Sequence, residues 1–177
     1  MYDANTNSGQ IAIQMARDAM RSYETRRQEH HGVATLITET GTLNQKPESQ
    51  DKHHEAVVDG IVHSAGTGND EGVFMLSSFM ECRARFKLET TMLRYGTQLI
   101  DRDKLDRGRL VSEMMATEFW CLFVMTKDTP RRYHVFKVSD RDGNWLLDFE
   151  TRDTWCRKTI NSSEKVLKPC SFLNIDD

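Results

Sequence analysis

The chain has 177 residues, of which 38% are hydrophobic and 29% charged, with 10 glycines and 3 prolines. That is enough apolar material for one domain with a core, and it excludes collagen-like, mucin-like and wholly disordered chains. A formal net charge of −3 removes the bulk attraction expected of a general polyanion binder, so only local basic patches remain for that purpose.

In chain order, Ala12, Met15, Ala16, Ala19, Met20 and Tyr23 recur at three- and four-residue intervals, with Gln14, Arg17, Asp18, Arg21 and Glu24 on the other side. This predicts an N-terminal amphipathic helix, capped by Asn7 or Ser8 and followed by Gly32. Val33 to Ile37 is a short apolar run, and residues 39–56 read as a polar mobile loop. Val57 to Val62 reads as a short strand before a glycine-rich turn at 65–72. From Val73, Phe74, Leu76, Ser78, Met80, Cys82, Ala84, Phe86 and Leu88 come to alternate with Glu81, Arg83, Arg85, Lys87 and Glu89. Period two predicts a long strand with one buried and one charged face, bulged near Ser77-Ser78.

A further strand is expected from Met92 to Ile100. Asp106, within a charged connector at 101–109, is expected to cap a second helix bearing Leu110, Val111, Met114, Met115 and Phe119. Phe119 to Thr126 is apolar on both faces and suits a central strand, which Lys127 to Pro130 turns into a return strand, Arg132 to Ser139. Asp142-Gly143 is a hairpin signal ahead of alternating Trp145, Leu147 and Phe149. Trp155 to Ile160 extends this meander, and Val166 to Ile175, broken by Pro169, closes an edge or crosses the core. The expected fold is a single α+β domain over 1–177: an N-terminal helix, a mainly antiparallel sheet with a second helix, and a C-terminal β-meander.

The N-terminus lacks a basic region followed by an apolar one, and no stretch approaches the apolar length of a membrane span, so a cytoplasmic protein is expected. Cys82, Cys121, Cys156 and Cys170 form no C-x-x-C pair and read as reduced thiols. Asn161-Ser162-Ser163 fits the glycosylation pattern but reads as a turn.

Several constellations fail on spacing. Asp140-x-Asp142-Gly143 begins like a calcium loop, but Trp145 and Thr151 stand where that loop needs glycine and glutamate. Gly66, Gly68 and Gly72 lack the lysine of a phosphate cradle and sit beside Asp70 and Glu71. His30-His31 and His53-His54 are adjacent pairs that cannot jointly face a metal on regular structure. Cys121 or Cys156 with His134 and Asp148 would form a nucleophile, base and orienting acid only by geometry that spacing does not fix. No catalytic residue, metal or cofactor is therefore expected.

Two basic clusters remain: Arg83, Arg85 and Lys87 on one strand face, and Arg131, Arg132, Tyr133, His134 and Lys137 around the later hairpin. On neighbouring strands they would form one positive face for phosphates and bases, although Glu81, Glu89, Asp148 and Glu150 are available to pair with them. The leading expectation is a non-enzymatic binding or assembly protein acting through an exposed sheet face or helix on a protein partner or a second copy, its methionine-bearing helices suiting a homo-oligomer. RNA binding through the basic and aromatic face is the alternative. A third reading is a small-ligand binder or hydrolase-like enzyme with an apolar pocket lined by Trp120, Trp145, Phe136 and His134.

Overall fold

The computed structural model describes residues 7–40, 58–65, 73–157 and 164–174. The expected loop beyond residue 40, the turn at 66–72, His53-His54 and Asn161-Ser162-Ser163 lie outside these. The elements run α1 (Asn7–His31), β1 (Thr35–Glu39), β2 (Gly60–Ala65), β3 (Phe74–Arg85), α2 (Glu89–Tyr95), β4 (Thr97–Asp101), α3 (Arg102–Met114), β5 (Glu118–Met125), β6 (Arg132–Ser139), β7 (Phe149–Arg157) and β8 (Lys165–Asn174). This is an α+β fold that begins with the expected helix. Among the described residues no helix is long and apolar enough to cross a membrane.

The first sheet has the order β1-β2-β3-β5-β6. Its pairs are antiparallel except β3 and β5, which run parallel. Ser77 is an extra residue in β3, because Val62 faces Ser78 whereas His63 faces Leu76. The bulge falls where the serine pair predicts it, and the Ser77 hydroxyl donates to the Val62 carbonyl at 3.1 Å. The apolar stripe of α1 covers one face of this sheet: Ala16, Ala19 and Met20 are buried with Ile37, Val62, Met80, Cys82, Leu122 and Val124. Gly32 ends the helix at φ +64°, a conformation that favours glycine.

A parallel pair needs a crossover. Between β3 and β5 the chain makes α2, β4 and α3, and β4 joins β8 and β7 in a second, antiparallel sheet of order β4-β8-β7. These elements cover the other face of the first sheet, where Phe79, Phe119, Cys121, Phe123 and Val138 pack with Met92, Ile100, Leu105 and Leu173.

Three local expectations change. The strand expected from Met92 to Ile100 is instead a short helix and a short strand, divided at Gly96 with φ +64°. The second helix starts at Arg102, not beyond Asp106, because the charged connector is itself helical: the ion pairs Arg102–Asp106 (2.7 Å), Arg109–Glu113 (2.8 Å) and Arg107–Asp103 each join residues four apart. The Asp142-Gly143 hairpin yields only an isolated bridge, Ser139 to Trp145. Arg109 of α3 donates to the Gly143 carbonyl at 3.0 Å, and the Trp145 ring lies under Arg102 and Arg109, so the chain is drawn toward α3 and its next strand enters the second sheet. Pro169 sits in the middle strand of that sheet, but β4 pairs with β8 only over Cys170 to Asn174. The missing N–H therefore lies beyond the end of β4.

Gly108 of α3 is buried, and a Cβ there would overlap the Phe119 ring. In an exposed helix Gly to Ala gains about 1 kcal/mol; overpacking costs roughly 1–3 kcal/mol and prevails where the ring is fully enclosed. Gly108→Ala is expected to lower the urea unfolding midpoint, and a raised midpoint would contradict this packing of α3 on β5.

Candidate functional site

On β3, Met80 and Cys82 face α1, whereas Phe79, Glu81, Arg83 and Arg85 face the second layer. The charged half of the alternation is thus not an open solvated face. It lies between the first sheet and the crossover elements, with Glu81 opposite Cys121, Arg83 opposite Phe123 and Arg85 opposite Met125.

Asp59, just before β2, is 5% exposed. Its N–H donates to the Met80 carbonyl at 3.0 Å, and its carboxylate accepts the Cys82 N–H at 2.9 Å. The backbone pairing of β2 on β3 thus carries an acid to the position beside Glu81. Glu81 is 1% exposed, and among the described residues neither of its carboxylate oxygens accepts an aligned hydrogen bond. Arg83 Nη2 stands 2.7 Å from Oε1 as an ion pair instead. The Arg85 guanidinium donates to the Leu99 carbonyl of β4 and lies 5.3 Å from the Phe123 ring centroid. Asp101, where β4 meets α3, holds Lys168 Nζ at 2.9 Å.

Burial pushes Glu81 up to about 7, and the Asp59 charge adds to this while Arg83 and Lys104 of α3 oppose it. Burial, reinforced by the neighbouring Arg83, pulls Arg85 down to about 10. For Arg83 burial also acts downward, but Glu81 and Asp59 outweigh it and hold the guanidinium above its ordinary value. At Asp101 burial acts upward and is outweighed by Lys168, so its carboxyl lies below the usual range.

The cluster therefore sets Asp59, Glu81 and Asp101 against Arg83, Arg85, Lys104 and Lys168, a cationic excess that grows when Glu81 is protonated. Two adjacent buried carboxylates are oxygen donors suited to a hard divalent cation, and guanidinium groups suit phosphate oxygens. Among the described residues no group of three or more His, Cys, Asp or Glu side chains could hold a metal ion. A cation at Asp59 and Glu81 would complete its shell with water and ligand oxygens, as magnesium commonly does.

The other basic residues are dispersed. Lys87 lies over the Tyr95 ring at 5.9 Å. Arg131 pairs with Asp18 of α1 at 2.9 Å, and Lys137 with Glu118 at 2.7 Å over the Trp120 ring. Tyr133 packs on the α1 side, where Arg26 covers its ring. His134 pairs with Glu89 at 2.7 Å and stacks on Phe136, and Arg132 approaches the same Glu89 at 3.7 Å. Arg83 and Arg85 therefore do not share one face with Arg131, Tyr133 and Lys137. The aromatic side chains expected around one pocket are also divided: Trp120 packs on the α1 side, and Phe136 on the opposite side of the same sheet.

The cysteines are free thiols, with Cys156 and Cys170 Sγ atoms 3.5 Å apart. Burial pushes the Cys121 thiol up, and Glu81 adds to it, which is the wrong direction for a nucleophile. Asp59, Asp101, Lys104 and Lys168 were not singled out by spacing. The available signal was indirect: β5 is apolar on both faces, so a strand lying beside it in the sheet is covered on both faces too. Comparison with known proteins gives no match, since no protein-family model, curated protein or solved structure matches the chain.

Folded Glu81 keeps its proton to about pH 7, whereas the unfolded chain releases it near 4.5. Between these values the unfolded state binds fewer protons, so stability falls as pH rises. In chelator-treated protein, urea unfolding at pH 5 and pH 8 should show this fall in the wild type, with most of it gone in Glu81→Gln. Equal pH dependence in both proteins would contradict the assignment.

Proposed function

We propose that the protein is a phosphodiester hydrolase acting on nucleic acid, with a divalent cation held by Asp59 and Glu81 and the phosphate held by Arg83, Arg85 and Lys104. The observation that carries this reading is the 1% exposed Glu81 carboxylate, whose oxygens accept no aligned hydrogen bond among the described residues, placed beside Asp59 and ion-paired to Arg83. Buried carboxylates with strongly displaced protonation, next to a specific charge partner, recur at functional sites, where chemistry uses them. A divalent cation held by Asp59 and Glu81 would supply an acidified water and draw charge from the phosphoryl oxygens. The water oxygen forms the new bond to phosphorus, one ester oxygen departs, and the water's proton ends on that oxygen. Arg83 and Arg85 orient the phosphate and balance the charge that builds on it. Lys168, the partly exposed member of the cluster, carries its positive charge toward the surface, which favours a polymeric phosphodiester over a free phosphate.

The test uses labelled single-stranded and duplex oligonucleotides with magnesium or manganese. Cleavage is expected, abolished by chelator and lowered at least ~100-fold by Asp59→Asn or Glu81→Gln, as for loss of groups acting directly on developing charge. Absence of cleavage with either ion on either substrate would overturn the hydrolase reading. Binding that weakens with salt but never cleaves would return the protein to the RNA-binding alternative.

A separate observation favours self-association: Leu110 and Met114, four apart on α3, are 50% and 76% exposed. The expected species is a dimer by native mass spectrometry, converted to monomer by Leu110→Lys with Met114→Lys. A wild-type monomer would contradict this second reading.

A further inference from the structure

The outer surface of the second sheet carries a groove of about 520 Å³, lined by Tyr95, Asp148, Glu150, Arg152, Phe172 and Asn174 among others. That volume lies within the range of small-molecule sites. The Arg152 guanidinium lies over the Phe172 ring with its Cζ 4.0 Å from the centroid, while Arg152 as a whole remains exposed. A planar cation spread on an aromatic ring is a platform on which a further flat ring can stack. Tyr95, 69% exposed, supplies a second aromatic surface at the rim. Asp148 and Glu150 would repel phosphate from this end, but they accept hydrogen bonds from the N–H groups of a base and the hydroxyls of a sugar.

The groove runs along β8 beside β4, from the Thr97–Asn174 pair to Phe172. Phe172 pairs in register with Leu99, whose carbonyl receives Arg85, and Asp101, two residues along the same strand, pairs with Cys170. We infer that the groove takes an unpaired base of a single-stranded nucleic acid, stacked on Arg152 over Phe172, while the adjoining phosphate reaches Arg85. This specifies the substrate of the proposed hydrolase and rests on that reading.

The test measures fluorescence anisotropy of the full chain with two phosphorothioate-linked, hydrolysis-resistant strands of equal length in magnesium, one bearing bases and one abasic. Wild-type protein is expected to bind the base-bearing strand about tenfold more tightly, the scale of one base stack. Arg152→Lys keeps the charge and loses the plane, so it should abolish most of that preference and leave affinity for the abasic strand unchanged. Equal wild-type affinity for the two strands, or full preference retained in Arg152→Lys, would overturn the groove assignment while leaving nucleic-acid binding in place. Failure of the wild type to bind either strand would overturn both.

Discussion

The Glu81–Arg83 ion pair, 2.7 Å long and set between two layers of the fold, is the constraint around which the structure is arranged. Taking a carboxylate and a guanidinium out of water costs several kcal/mol for each ion, and an apolar pair of similar volume is often no less stable. The next strand shows that apolar packing serves at this depth, because Cys121 and Phe123 stand opposite these two residues. The charges instead recruit their surroundings: Asp59 beside Glu81, Arg85 on the Leu99 carbonyl, Lys168 on Asp101. The second layer is thereby tied to the first by polar contacts as well as by the Phe119 and Leu105 core.

The topology explains why the cluster lies where it does. Because β3 and β5 are parallel neighbours, the intervening chain must cross one face of the sheet, and here it crosses on the side opposite α1. The crossing places Asp101 and Lys104 at the β4–α3 junction, over the charged residues of β3. β4 then serves as the edge on which β8 and β7 assemble, bringing Lys168 to Asp101 at one end of that sheet, while the outer groove lies toward its Thr97–Asn174 end. A pair of strands, a crossover and a second sheet thus converge on one set of ionisable groups.

Much of the architecture was legible in the sequence because it rests on local periodicity. The three- and four-residue spacing from Ala12 to Tyr23 gives α1, the alternation from Phe74 gives β3, and the two serines mark its bulge. The charged segment before Leu110 was harder to read: its residues are polar throughout, and their helical character lies in i,i+4 charge pairs. The covering of Glu81, Arg83 and Arg85 is a tertiary fact that period-two alternation alone does not encode, since a charged strand face reads the same whether water or another layer meets it. Asp59 and Lys104 join the site only through pairing and crossover, and no spacing in the chain links them to Glu81. Arg131, Tyr133 and Lys137 are separated from Arg83 and Arg85 because they fall on the α1 side of the first sheet.

The central claim is that a carboxyl group in the middle of β3 is held out of water among competing charges. Carbon-13 NMR of the Glu81 carboxyl, titrated in chelator-treated protein, reads this directly. The account predicts a midpoint about 7; a midpoint near 4.5, the ordinary value for glutamate, would show a solvated side chain and contradict it.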